Sequence, residues 1–444
     1  MGAKTYPAYR DSGVEWIGEI PEHWEVKRLK DVVNFWMGYP FPSDELGEVG
    51  TPVIRMSDIR YERVVLDSAK RVPYVDKYER FSLRENDIVY GMSGSVGNVG
   101  KVGAEALPCL LNQRVACVRE TKRISFEYAW FYLISEVFTE QILDSATGTA
   151  QINVSPSSFN SSFIPSPPLE EQKQIASFLD RETSKIDTLI GKQQQLINLL
   201  KEKRGSLISH TVTKGLNSNG PMKDSGVEWI GEIPEHWEVK ALRKLLSCRL
   251  ANGYFVSKDN KDGDVPLINV SDIYTSDNKV HKQSLERVGC PPQDLARYQT
   301  VVNDLFAVRS SIKTDGVGAV CQASDIETLT IFECHLIRIR LNHNSYSADF
   351  YRNCFASSII RASIISQAKV TTMATLPQEA FLSLAVPTPP LEEQKQIASF
   401  LDRETSKIDT LIDKAKQSIA LLKERRSSLI SSAVTGKIDV REAA

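Results

Sequence analysis

Apolar residues recur every seven positions along two long stretches of this chain. In the first stretch Leu179, Ile186, Gln193, Leu200 and Leu207 form one track. Ile175, Leu189 and Leu196 form a second, with Ile190 and Ile197 broadening the stripe. In the second stretch the track is Leu401, Ile408, Ala415, Leu422 and Leu429, with Leu411 alongside. A sustained seven-residue period predicts helices that pair as a coiled coil. Each spans about 40 residues, roughly 60 Å at the helical rise. Lone helices of this kind are marginal in water, so each stripe needs a partner, and the other stripe is the obvious one. The predicted seam is Leu179, Ile186, Leu189, Leu196, Leu200 and Leu207 against Leu401, Ile408, Leu411, Leu422 and Leu429.

Both helices open from a proline-rich joint, IPSPPLEEQ and VPTPPLEEQ, and end at glycine in GLNSNG (215–220) and TGKIDV (435–440). Proline suits a helix's first turn, the glutamates suit its positive end, and glycine closes the last turn. Elsewhere short β-rich runs (NDIVYG, ACVRE, NDLFAV, HLIRIRL) alternate with turn residues. One amphipathic helix is predicted near 126–143, with a counterpart at 347–365. The bodies read as α+β.

The pattern is a repeat. PLEEQKQIASFLDRETSKIDTLI occupies 168–190 and again 390–412; DSGVEWIGEIPEHWEVK occupies 11–27 and again 224–240. The sequence between these anchors differs in the two halves. Two copies are too few for a solenoid and suit an internal pseudo-dimer of identical joints and unlike bodies.

Composition narrows the class. A length of 444 residues suggests two to four domains. Hydrophobic residues at 41% and charged residues at 25% are typical of soluble globular proteins. No apolar run reaches a membrane span, the N-terminus lacks a secretory core, and Tyr6 stands where a myristoylation signal needs Ser or Thr. Seven cysteines without a CxxC pair point to a reducing cytoplasm without a disulfide frame. The net charge of −2 gives no bulk signal for nucleic acid. From Arg60 to Arg84 seven basic residues stand against four acidic ones, which by itself reads as a solvated mixed-charge face.

Catalytic motifs are poorly supported. Gly94 to Lys101 has the wrong spacing for a phosphate-binding GxxxxGK[ST] loop, and GMSGS is not a nucleophile elbow. Glycines 91, 94, 97, 100 and 103 fit a tight turn between strands, whose neighbour is a strand or a phosphate. The ExK trios Glu25-Val26-Lys27 and Glu238-Val239-Lys240 lack the further carboxylates a metal nuclease needs. They fit a structural anchor in which Trp16, Ile17, Ile20 and Trp24 pack. His23 and His236 have no second histidine at ligand spacing, so a structural role is expected of them.

These motifs together resemble the specificity subunit of type I restriction–modification systems. The resemblance covers essentially the whole chain. It rests on the repeated anchor and helix openings, on RENDIVYGMSGSVGNVGKV (84–102) with LNQRVACVR (111–119), and on VVNDLFAVRSS (301–311) with GVGAV (316–320). It implies two α+β target-recognition domains on an antiparallel, pseudo-twofold pair of helices: domain 1 at 1–165, spacer 1 at 166–215, domain 2 at 216–387, spacer 2 at 388–436 and a tail at 437–444. Each domain is expected to read half of a split, asymmetric site in double-stranded DNA. Two methyltransferase subunits, joined by restriction/translocase subunits, are expected to dock on the frame. The chain itself is expected to be non-catalytic, with S-adenosylmethionine, ATP and magnesium on the partners. DNA-contact candidates are Arg60, Arg63, Arg71, Ser93, Asn98, Lys101 and Arg114 in the first body. In the second they are Asn252, Lys258, Lys261, Arg309, Ser310, Lys313 and Thr314. A coiled-coil scaffold binding proteins instead of DNA is the alternative, and a nuclease using the ExK residues a third.

Overall fold

The computed structural model describes residues 4–441 apart from 61, 94–96, 122, 145–152, 218, 258–261, 328 and 371–372. The chain divides into two compact units, Met1–Gln193 with Gln417–Ala444, and Gln194–Lys416. The first unit holds α1 (Phe126–Leu133), α2 (Glu136–Asp144) and the first half of α3 (Leu169–Lys214). The second holds the rest of α3, then α4 (Ala348–Ala356), α5 (Ser358–Ser366) and the first half of α6 (Leu391–Val434), whose last turns return to the first unit.

In the first body β1 (Val33–Met37), β2 (Ile59–Arg60), β3 (Arg63–Val64), β4 (Ile88–Gly91), β5 (Val99–Lys101) and β6 (Val115–Thr121) form a sheet in the order β1-β6-β4-β5-β3-β2. The second body repeats the plan with β7 (Ala251–Asn252), β8 (Lys279–His281), β9 (Leu305–Val308), β10 (Val320–Asp325) and β11 (Leu336–Ile339), in the order β7-β11-β9-β10-β8. In each sheet one pair is parallel, β5 with β3 and β10 with β8. The central strands are buried on both faces. Ile88 and Tyr90 pack with α1 and α2 while Val89 joins a second core, and Leu305 and Ala307 are divided from Phe306 in the same way.

Each central strand is entered through an Asn–Asp pair. Asn86 and Asn303 are left-handed, with φ of 67° and 73°. The following Asp87 and Asp304 are buried and each takes a bidentate arginine. Arg119 reaches Asp87 at 2.8 and 2.6 Å, and Arg340 reaches Asp304 at 2.7 Å through both nitrogens. The expected amphipathic helices are each broken in two. Ser135 and Ser357 are buried, end one helix by bonding back to a carbonyl, and cap the next.

The joints show what the repeated letters do. The two ends of each body run side by side, Glu25–Arg28 against Phe163–Ser166 and Glu238–Ala241 against Ala385–Thr388. The buried Trp24 and Trp237 donate their indole N–H to Glu171 and Glu393, both at 3.0 Å, in the first turn of α3 and α6. His23 and His236 sit 2.8 Å from the same carboxylates. Gly215 and Gly436 close the helices in the left-handed conformation, and a Cβ on Gly436 would come within 2.3 Å of Pro21. In the first unit alone Tyr6 adds a 2.6 Å hydroxyl bond to Glu171, and burial, with that bond, pushes the Tyr6 phenol upward.

The seam departs from the sequence expectation. Leu179, Ile186, Leu200, Leu401 and Ile408 are buried and Leu207, Leu422 and Leu429 half-buried, but Leu189, Leu196 and Leu411 are 47%, 43% and 50% exposed. The Leu179–Ile186–Gln193–Leu200–Leu207 track has two possible flanks. The structure turns inward the flank of Thr183, Ile190, Ile197 and Arg204, with Thr183 and Ile197 buried and Ile190 and Arg204 half-buried, and Thr405 and Ile412 are likewise buried on α6. The arginines on this flank close ion pairs between the helices, Arg426 with Asp187 at 3.0 Å in the first unit and Arg204 with Asp409 at 3.0 Å in the second. Leu179 shares a core with Ile430 and Val434 in the first unit, and Val212 with Ile397 in the second, so with these pairs the helices run antiparallel within each unit.

The two joints differ in burial, which makes their energetics separable. Glu171→Ala strands the Tyr6 and Trp24 donors, each at about 1–3 kcal/mol if left unsatisfied. Glu393 is more exposed, its carboxylate serving only Trp237 and His236 among the described residues. Thermal unfolding should show a larger loss for Glu171→Ala than for Glu393→Ala, and the reverse order would contradict this account.

Candidate nucleic-acid interface

The two bodies meet the identical helix face through different cations. In the first unit Lys101, at the end of β5, lies with its Nζ 4.7 Å from the Trp130 ring centre, in a hollow of about 340 Å³ that Asp180 also lines. Burial lowers the Lys101 pKa, and the charges of Glu127, Asp180 and Glu62 oppose that shift. In the second unit the buried Arg352 donates to Asp402 at 2.6 Å and to Gln322 at 2.9 Å, with Lys279 adding a 3.3 Å bond to Asp402. Burial alone would raise the Asp402 carboxyl, but the Arg352 bond and charge hold it below its usual value. Asp180 and Asp402 are the same position of the repeat. Lys101, a DNA-contact candidate, thus lies over Trp130 in a hollow that Asp180 also lines.

The remaining first-body candidates do not converge. Arg60 and Arg63 face each other across β2 and β3, with Arg60 bonded to the Ser57 carbonyl at 2.7 Å. Arg71 lies on the separate three-stranded sheet and donates to the Gly50 carbonyl. Ser93 is buried and donates to the Met56 sulfur at 3.1 Å. Asn98 is half-buried and its carbonyl accepts from Gly91, while Arg114 is exposed. The glycine-rich turn at 94–96 lies outside the described residues. A cleft of about 390 Å³ that these candidates miss is lined by Asn34, Trp36, Arg80, Arg84 and Arg119, with Arg119 stacked 4.7 Å over Trp36. Arg80 and Arg84 belong to the basic run noted in the sequence; only folding brings Arg119 and Trp36 to them.

In the second body the candidates do gather. Asn252 and Arg309 line one cleft of about 470 Å³ with Lys369, Thr375 and Gln378. Ser310 and Lys313 line a hollow of about 640 Å³ with Tyr274, Ile312 and His335. Thr314 is exposed beside it, and Lys258 and Lys261 lie outside the described residues. Lys369 and Gln378 had no motif to mark them. The ExK pairs are surface ion pairs on the joint strands, Glu25–Lys27 at 3.1 Å and Glu238–Lys240 at 2.6 Å. Among the described residues the one group close enough to hold a metal is Glu333, Cys334 and His335, which does not include them. No helix among the described residues is long and apolar enough to cross a membrane.

Known proteins share this organisation. The family described as the type I restriction modification DNA specificity domain matches residues 21–199 and again 234–421. The chain is 25% identical over 441 residues to the putative type I restriction enzyme MjaX specificity subunit of Methanocaldococcus jannaschii, covering 96% of each. It is 24% identical to the EcoKI specificity subunit of Escherichia coli, covering 95% of this chain and 90% of that one. Among solved structures, a chain of a type I restriction–modification system, solved to explain complex assembly and conformational transition, superposes with a TM-score of 0.65. It is 19% identical and covers 94% of this chain and 98% of that one. The specificity subunit HsdS of Thermoanaerobacter tengcongensis gives 0.50 at 17% identity, covering 94% of this chain and 98% of its own. With two matched stretches that each begin in an anchor and run into a long helix, the chain belongs to the type I restriction–modification DNA specificity family.

Proposed function

We propose that each body reads one half of an asymmetric, bipartite site in double-stranded DNA, and that the repeated frame docks two methyltransferase subunits. The observation that carries this reading is the contrast between frame and clefts. Equivalent positions keep the same contacts at the joints (Trp24 with Glu171, Trp237 with Glu393) and the strand entries (Asp87 with Arg119, Asp304 with Arg340). The clefts at the bodies' surfaces are lined differently, by Asn34, Trp36, Arg80 and Arg84 beside Arg119 in one and by Asn252, Arg309, Lys369 and Gln378 in the other. Identical partners need identical surfaces, whereas different base sequences need different ones. N6-adenine methylation and cleavage would then be the work of partner subunits carrying S-adenosylmethionine, ATP and magnesium, in the cytoplasm. The near-neutral charge fits a chain that grips duplex weakly alone and relies on partners for phosphate contacts.

The exposed leucines fit the docking half of this reading. Leu189 and Leu411 occupy the same position of the repeat, as do Leu199 and Leu421, and all four lie at 47–65% exposure. They give each helix the same apolar pair on its outer side.

Three outcomes test the reading. The chain co-expressed with its methyltransferase subunits should retain duplex carrying a split site; retention of proteins alone would favour a scaffold. Leu189→Glu with Leu411→Glu should leave the unfolding temperature within the small range of surface changes yet reduce methyltransferase co-purification at least ten-fold. Unchanged co-purification would remove the leucines from the docking surface. Inserting four residues after Gln193 should lengthen the gap between half-sites or prevent assembly, with both half-site words kept; altered words would contradict the ruler.

A further inference from the structure

We infer that Asn252, Arg309 and Gln378 are the base-reading residues of the second body, with the Asn252–Gln378 amide pair taking an adenine and Arg309 a guanine. This rests on the DNA-reading function proposed above and assigns its chemistry. Gln378 Nε2 donates to Asn252 Oδ1 at 2.9 Å across the cleft. That bond leaves Asn252 Nδ2 as a donor and Gln378 Oε1 as an acceptor. Exchanging oxygen and nitrogen in both amides reverses which residue donates, but the remaining pair still holds one donor and one acceptor. The pattern therefore does not depend on how either amide is oriented. In the major groove adenine offers an acceptor, N7, beside a donor, N6, whereas guanine offers two acceptors, N7 and O6. An amide donor–acceptor pair complements the first, and an arginine fork the second.

Arg309 lines the same cleft, and among the described residues its guanidinium has no hydrogen bond or ion pair; nor has the ammonium of Lys369 beside it. A half-buried arginine and an exposed lysine left open beside an ordered amide pair are available to a ligand that brings acceptors. Lys369 is exposed and suits a phosphate, which positions without specifying.

The first body places different residues at the same three positions. The backbone N–H of Met92 donates to the Arg114 carbonyl and its carbonyl accepts from Val154; Arg309 does the same with His335 and Leu376. Two residues further on, Pro156 and Gln378 each open a short helix, Pro156–Ser161 and Gln378–Ser383. Met37 pairs with Ala116 on one edge strand, as Asn252 pairs with Ile337 on the other. The trio is thus Met37, Met92 and Pro156 in one body and Asn252, Arg309 and Gln378 in the other. The frame is held while the chemistry of one spot changes from apolar to polar, as expected of the place where the two words diverge.

The test is methylation, by the purified complex of the full chain with its methyltransferase subunits, of a duplex library randomised across both half-sites. Wild type should show an adenine and a guanine in the second half-site that depend on these residues. Gln378→Ala or Asn252→Ala should lower discrimination at the adenine about ten-fold or more. Gln378→Glu, left with acceptors only, should move that preference toward cytosine. Arg309→Ala should relax a different position, the guanine. Every variant must still write the first half-site, which separates lost reading from lost folding; a variant failing there is replaced by Gln378→Glu or Arg309→Lys at the same positions. A second half-site unchanged in Gln378→Glu and Arg309→Ala would overturn the inference while leaving DNA reading intact. A wild-type complex with no preference in either half-site would overturn the DNA-reading function itself.

Discussion

Two helices that share one apolar track must each choose which neighbouring track to bury, and that choice governs much of the rest of the structure. Burying the leucines at 189, 196 and 411 would turn Arg204 and Arg426 to the outside. Burying the isoleucine flank instead keeps both arginines at the helix–helix contact, where each pairs with an aspartate of the other helix. From there each also reaches its own body. Arg426 takes Glu62 in a bidentate pair at 2.6 and 2.7 Å, and Arg204 donates to the Ser276 carbonyl at 2.8 Å. Surface ion pairs are usually worth little, but a half-buried arginine serving two carboxylates loses its entropy once and gains twice. The same seam that pairs the helices thereby fixes a body loop against them, and it leaves leucines outside.

The frame tolerates different bodies because it asks little of them. At the Asp180/Asp402 position the helix presents a carboxylate, and the two bodies set different cations near it. One body sends a lysine stacked on tryptophan; the other sends a buried arginine already ordered by Gln322. At the strand entry the Asn–Asp turn and its arginine hold the central strand at the same depth in both. A recognition component rather than a catalyst, such a chain can change its cleft without disturbing these few contacts.

The sequence made the frame legible and the clefts mostly not, for a physical reason. Periodicity, proline-rich entries and repeated letters report on local geometry, so both long helices and the central strands could be placed from them. The flank of the seam could not, because leucine and isoleucine tracks are equally apolar, and the pairing of Arg204 and Arg426 that accompanies the buried flank shows only in the fold. The serine breaks at 135 and 357 were hidden inside amphipathic runs that a single helix fits equally well. Asn252 and Arg309 were visible as polar residues near strand ends. Gln378 lies 126 residues from Asn252, and nothing local marks it as that residue's partner.

The distribution of polar cost supports placing recognition at the clefts rather than along the sheets. Several cations of the second body are balanced by acids, Arg340 by Asp304, Arg352 by Asp402, Arg287 by Glu327 and Lys282 by Asp325, while Arg338 and Arg361 donate to backbone carbonyls. In one cleft Arg309 and Lys369 have neither kind of partner among the described residues, and beside them lies an amide pair whose remaining donor and acceptor face no described partner. Groups left open in this way can take a ligand that supplies the missing acceptors, which fits the proposed reading of DNA. The phosphates and purine edges of a duplex would supply them together, and on that proposal the other body, whose corresponding trio is Met37, Met92 and Pro156, would meet a different set of base edges.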